Sequence, residues 1–143
     1  MANYSDDTRL KVIDSEMFNW LEEGKSFNEI RDFVTRRITL LIQKSPAWET
    51  LLEKGLVTEE GLVDKAKILN PEDLEDLEDL WVREVVYFDH LNAAKEDDAI
   101  FWKARVIRSE RLQRLRSLVL LIDEDGDGVA DGMPLSVWVP FRS

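Results

Sequence analysis

The chain has 143 residues, 44% of them apolar and 34% charged, which suits one folded domain with a single hydrophobic core. It contains no cysteine, excluding disulfides, thiolate metal sites and cysteine nucleophiles, and suiting a reducing compartment. A net charge of −11 disfavours nucleic acid as a ligand, sequence-specific or otherwise, because phosphates would be repelled.

The opening residues, Met1-Ala2-Asn3-Tyr4-Ser5-Asp6-Asp7, combine neither a basic start nor an apolar stretch, so no signal peptide is expected. Leu118-Val119-Leu120-Leu121-Ile122 is the longest purely apolar run, far short of the roughly 20 residues that cross a bilayer. The expectation is a soluble protein with no membrane partner, in the cytoplasm or in something assembled there.

Leu10, Ile13, Met17, Trp20 and Leu21 recur at helical spacing and Gly24 supplies a stop, predicting a first helix over residues 7–23. Ser26-Phe27-Asn28-Glu29 has the form of a capping box, opening a second helix with Phe27, Ile30, Phe33, Val34, Ile38, Leu41 and Ile42 inward. Ser45-Pro46 restarts the chain as cap and first helical residue of a short third helix, which buries Trp48 and Leu51 or Leu52 before Gly55. Thr58 is placed to cap another short helix carrying Leu62, Val63, Ala66 and Leu69. Asn70-Pro71-Glu72-Asp73 then gives cap, proline and acids at the positive end of a helix dipole. That helix carries Leu74, Leu77, Trp81, Val85 and Phe88 on one stripe and reaches about Ala94. Its opening repeats a leucine every three residues between Asp73 and Leu80, read as core positions alternating with solvated acids.

Asp97-Asp98 would cap a last long helix over residues 99–122, amphipathic through Phe101, Ala104, Leu112, Leu115, Val119 and Ile122. At 1.5 Å per residue it would span roughly 36 Å. Beyond it Met133, Leu135, Val137, Val139 and Phe141 alternate with Pro134, Ser136, Trp138, Pro140 and Arg142, a period of two that predicts a strand. Both prolines share one parity, so one strand edge lacks N–H donors and the other is free to pair. This arm either folds back on its own helices or completes a sheet, including one with a neighbouring subunit. The fold class is therefore mainly α. A helical domain over 1–122 with a long last helix leads to an acidic loop at 123–132 and an extended arm at 133–143.

Charge is uneven along the chain. Between Ile100 and Ile122 lie Lys103, Arg105, Arg108, Arg111, Arg114 and Arg116 against Glu110 alone, whereas residues 59–98 are dense in carboxylates. Two helices laid against each other account for this pattern; a basic surface for a partner, through Arg105, Arg108, Arg111 and Arg114, is the alternative.

The loop Asp123-Glu124-Asp125-Gly126-Asp127-Gly128-Val129-Ala130-Asp131 has carboxylates at positions 1, 3, 5 and 9 and glycine at 6. Calcium takes six to eight oxygens in flexible geometry, and alternate aspartates on a tight turn aim their oxygens at one point. Asp123, Asp125, Asp127 and Asp131 are the candidate ligands, with the Val129 carbonyl at position 7. The competing reading is an acidic turn that only stops a helix. Position 12, a bidentate glutamate in an EF-hand, is Pro134, which excludes a sensor EF-hand. The loop resembles the wider group of Asp-x-Asp-x-Asp-Gly calcium loops, with a structural role and an affinity on the order of 10⁻⁵ to 10⁻³ M.

Nothing else in the chain suggests chemistry. The single histidine, His90, lies in the acidic helix and reads as packed or surface-lying. No phosphate-cradling loop, nucleophile elbow or zinc spacing occurs, so no catalytic residue is assigned and an enzyme is not expected. An acidic interaction protein that imitates nucleic-acid charge, or a calcium-binding interaction module, fits these features.

The last third of the chain resembles the head-to-tail connector proteins of tailed bacteriophages over about residues 80–142. The likeness rests on Phe101-Trp102-Lys103-Ala104, the arginines after it, Leu121-Ile122-Asp123-Glu124-Asp125-Gly126-Asp127-Gly128, and the short strand. The resemblance implies a small helical adaptor of the virion, made in the host cytoplasm and assembled as a homo-oligomeric ring, commonly of twelve copies. Portal protein on one side and tail or neck proteins on the other would be its partners. Opposed charged faces and an arm that grips a neighbour through Leu135, Val137, Val139 and Phe141 would then hold the ring.

Overall fold

In the computed structural model, which describes residues 2–93 and 98–137, α1 (Asp7–Ile13) opens where extended Asp6 accepts from the Arg9 backbone N–H. The predicted continuation to residue 23 is broken at Asp14, whose backbone leaves helical geometry (φ −147°, ψ 85°). Its carboxylate turns inward, accepting from the Tyr87 hydroxyl at 2.7 Å and Arg83 Nε at 3.0 Å. A 3-10 helix, Glu16–Trp20, carries Met17 into the core instead.

The second helix, α2 (Asn28–Gln43), forms as its capping pattern predicts in place, although not in detail. Phe27 occupies the N-cap, and the Ser26 hydroxyl accepts from Asn28 N–H rather than completing a reciprocal box. Val34, Ile38 and Ile42 are buried as expected; Phe33 is largely exposed. Before α3 (Ala47–Glu53), the Ser45 hydroxyl donates back to the Ile42 carbonyl at 2.6 Å, closing α2 rather than capping α3. Leu51 points inward and Leu52 outward.

No α-helix follows Thr58. Its N–H donates to the Leu62 carbonyl at 2.7 Å and its hydroxyl accepts from Leu62 N–H, closing a turn that passes through left-handed Gly61. Val57 bridges Val63 across that turn, and only a 3-10 turn, Lys65–Lys67, succeeds it.

α4 (Pro71–Ala93) starts where its cap and proline predict. The Asn70 side chain donates to Asp73 at 2.8 Å and to the Val119 carbonyl at 2.7 Å, and accepts from Leu121 N–H. One amide thus ties the Asp73 carboxylate in the first turn of α4 to the chain's C-terminal part, while the Asn70 backbone carbonyl, rather than its side chain, receives the Asp73 N–H. α5 (Asp98–Ser117) stops short of the predicted 122, because the following run has strand periodicity: Leu118, Leu120 and Ile122 are buried alternately. Within it β1 (Val119–Leu120) pairs antiparallel with β2 (Leu135–Ser136), Leu120 opposite Leu135, while Ile122 bridges Ile68.

Contacts run Phe88 to Arg108, Trp81 to Arg111 and Tyr87 to Lys103, so α4 and α5 form an antiparallel hairpin. α2 lies on α4, and one continuous core joins Tyr4, Leu10, Val34, Leu77, Ile107, Leu120 and Val137. The molecule is thus mainly helical, with a small two-stranded sheet and an acidic loop near the C-terminal end. Within segment 133–137, Val137 belongs to this core and Leu135 packs against it, whereas Met133 is exposed. No helix among the described residues is long and apolar enough to cross a membrane.

Candidate functional site

The acidic loop is the connection between β1 and β2, anchored by its two ends. Asp123 N–H donates to the Lys67 carbonyl at 2.9 Å, and Asp131 N–H to the Ile122 carbonyl at 2.7 Å. Inside, Asp123 accepts from Asp127 and Gly128 N–H, Asp127 from Val129 N–H, and Asp131 from Glu124 N–H. Gly126 and Gly128 both have φ near +75° (72° and 79°), a conformation that side-chain-bearing residues adopt at a cost. These turns bring one carboxylate oxygen each from Asp123, Asp125, Asp127 and Asp131 within 4.8 Å of one another. Asp123 is the buried member; Asp125 and Asp127 face solvent.

Like charge and hydrogen bonding act on different carboxyls of the loop. Loss of hydration, then the charges of Asp127 and Asp131, push the Asp125 carboxyl above its ordinary value. Asp127 is held below its ordinary value, first by the Val129 N–H. Such a ring of oxygens with partly uncompensated charge can hold a metal ion, as the sequence pattern anticipates. Val129 is exposed beside it.

The basic residues of α5 divide by helical phase. Arg108 Nε reaches Glu84 at 2.8 Å, and Arg111 reaches the same carboxylate through Nε at 2.6 Å and Nη2 at 3.0 Å. Both guanidiniums also lie over rings, Arg108 on Phe88 at 4.0 Å and Arg111 on Trp81 at 4.5 Å. Burial opposes the charge on Glu84, yet the hydrogen bonds and charges of Arg111 and Arg108 outweigh it and hold the carboxyl below its ordinary value. Lys103 pairs with Glu16 at 3.1 Å. Arg108 and Arg111, expected on a partner surface, both engage Glu84 within the hairpin, as two helices laid against each other require, although the Arg108 side chain is still 52% exposed. Arg105 and Arg114 are exposed.

The candidate arm residues separate in the same way. Val137 is buried and its N–H donates to the Leu118 carbonyl, and half-buried Leu135 packs on the core, so both engage their own chain. Val139 and Phe141 lie outside the described residues.

Phe101, expected inward on α5, is 40% exposed, and beside it stand Trp102 at 62% and Val106 at 55%. The Arg105 guanidinium sits 5.7 Å from the Phe101 ring and 5.9 Å from that of Trp102. The sequence signal was the Trp102–Val106 spacing of one helical turn, a second apolar stripe on the face opposite Ala104 and Ile107.

A second feature missed in sequence is the buried polar centre around Glu78. It accepts from Tyr4 N–H, from the N–H and hydroxyl of Ser5, and from the Thr35 hydroxyl, with buried Arg31 3.9 Å away. Burial pushes Glu78 and Asp79 above their ordinary values despite these donors. Arg31 also pairs with Asp7, and Arg9 with Asp76 and Asp79. Asp76, Glu78 and Asp79, which the leucine spacing predicts to be solvated, instead hold the N-terminal segment and α2 to α4. His90 stacks flat on Trp20 with ring centroids 3.8 Å apart.

Compared with known proteins, the chain matches no family model, no curated protein and no solved structure.

Proposed function

We propose that this chain is a structural virion protein, a head-to-tail connector that forms a ring between portal and tail components. The observation that carries the reading is the outer face of α5, where Phe101, Trp102 and Val106 are exposed around Arg105. Aromatic residues with arginine are the composition of protein-binding surfaces, and large apolar side chains grouped in the open mark such surfaces. The likeness of residues 80–142 to phage connectors supplies the class of assembly. Electron microscopy of purified virions with the chain labelled tests it: a labelled ring at the portal–tail junction is expected. Absence from virions, with a monomer beside assembled portal, would overturn it.

Within this reading the 123–131 loop binds calcium in a structural role, fixing the β1–β2 connection. Oxygens on opposite sides of a calcium ion, each roughly 2.4 Å away, lie roughly 4.8 Å apart, and the mutual spacing of the four aspartate oxygens, within 4.8 Å, supports this reading. The residues that would hold it are Asp123, Asp125, Asp127, Asp131 and the Val129 carbonyl. Calorimetry should give an affinity on the order of 10⁻⁵ to 10⁻³ M, lost in Asp123→Ala and Asp127→Ala. No heat and no calcium-dependent rise in melting temperature would reduce the loop to a turn.

A further inference from the structure

The molecule carries two surfaces of opposite charge. Along the N-terminal half of α5 a groove of about 420 Å³ opens between Phe88, Phe101 and Leu112, with Arg105, Arg108 and Ser109 on its rim. Arg105 has no carboxylate within ion-pair distance among the described residues, so its charge is available outward. Beyond its Leu112 side, α5 runs on for five residues, a rise of about 7.5 Å, into β1 and the acidic loop. The tip of α3 touches that loop through Lys54, whose ammonium lies 3.6 Å from Glu124. On the outward face of α3, Leu52 is 54% exposed between exposed Glu49 and Glu53, one helical turn apart. One surface thus offers an apolar slot rimmed by arginines, the other an apolar knob flanked by carboxylates.

We infer that the α5 groove receives the α3 face of a second copy, head to tail, with Leu52 against Phe88, Phe101 and Leu112 and Glu49 or Glu53 against Arg105. Complementary charge selects this occupant: in a chain of net charge −11, the basic slot meets its opposite on every other copy. The two surfaces differ, so the contact is heterologous and propagates into a ring when the rotation closes. The inference deepens the connector reading and rests on it for closure alone.

The absence of cysteine allows a direct test. Full-length Ser109→Cys and full-length Leu52→Cys proteins are mixed at high concentration and oxidised, with exposed Thr8→Cys replacing Leu52→Cys as control. The Ser109–Leu52 mixed disulfide should exceed the control about tenfold, fall about tenfold when the first protein also carries Arg105→Glu, and return when the second carries Glu49→Lys and Glu53→Lys. Yield equal to the control, or yield indifferent to Arg105→Glu, would overturn the contact. Rings in virions without this disulfide would overturn the contact and spare the connector reading; the disulfide with no ring would do the reverse.

Discussion

Replacing Glu84 by alanine tests the assignment of the α5 arginines most directly. The carboxylate is buried and receives three hydrogen bonds from Arg108 and Arg111. Without it, two cations one turn apart on α5 are left without their shared counter-charge. The Arg111 side chain, only 14% exposed and stacked on Trp81, cannot turn fully into water. Breaking a buried pair from one side costs about 3–5 kcal/mol. The Arg108 side chain is 52% exposed, so its share is discounted to that of a surface pair, about 0–1 kcal/mol. The expected loss is about 3 kcal/mol, a fall in melting temperature of roughly 6–12 °C for a chain this size. Urea unfolding followed by tryptophan fluorescence measures it, since Trp81 lies under Arg111. A cycle adding Arg111→Ala should show coupling of about 1–3 kcal/mol between the two sites. A loss below about 0.5 kcal/mol would refute the clamp on Arg111.

The same carboxylate fixes a pH dependence. Its folded value lies below the ordinary 4.5, so its contribution is complete above about pH 4.5 and lost as pH falls through the folded value. The gap between wild type and Glu84→Gln should therefore narrow on acidification in urea melts; a constant gap down to about pH 3 would contradict the depressed value. Glu78, pushed up by burial, acts with the opposite sign: its share is present when protonated and is lost as pH rises through the folded value. A Glu78→Gln variant should then lose less stability than wild type across that rise, a difference that parallel melts would show or exclude. Asp14→Ala leaves the Tyr87 hydroxyl and Arg83 without their acceptor and should cost about 2–3 kcal/mol, with altered fluorescence from Trp20, whose ring meets Tyr87 at 4.9 Å.

Local chemistry was legible in the sequence, and partnerships across the chain were not. Asn70-Pro71 marks the start of α4 correctly because proline and the first-turn acids act within one turn, although the Asn70 side chain turns to Leu121 and Val119 instead of capping. The four loop aspartates converge because their spacing and the two glycines between them shape the turn locally, with the Lys67 carbonyl as a distant anchor. Leu118 to Ile122, all aliphatic, satisfies a helical and an alternating pattern alike, so Ile68 and Leu135 from elsewhere decide its conformation. Thr58 supplies a hydroxyl that serves a helix cap and a tight turn equally, and the Leu62 carbonyl selects the turn. Glu78 and Asp79 look solvated between leucines because their partners, Ser5, Arg9 and Arg31, lie far away in sequence. Asp14 ends α1 for the same reason: Tyr87 and Arg83 hold it across the fold.

The division of α5 into an inward and an outward set has a consequence for every surface test. Ala104, Ile107 and Leu115 fill the inner face, and Glu84 fixes the hairpin through Arg108 and Arg111, three residues apart. Arg105 and Trp102 fall on neither set of contacts; their ring and cation meet each other and solvent. Substitution at these positions removes no buried group, so Arg105→Glu and Trp102→Ser should each change unfolding free energy by no more than about 0.5 kcal/mol. In thermal melts that is a shift of roughly 2 °C or less. Association, if this face is an interface, should fall severalfold in the same two proteins. A large loss of stability in either variant would mean that the outer face belongs to the fold, and would remove the reason for reading it as a surface for another molecule.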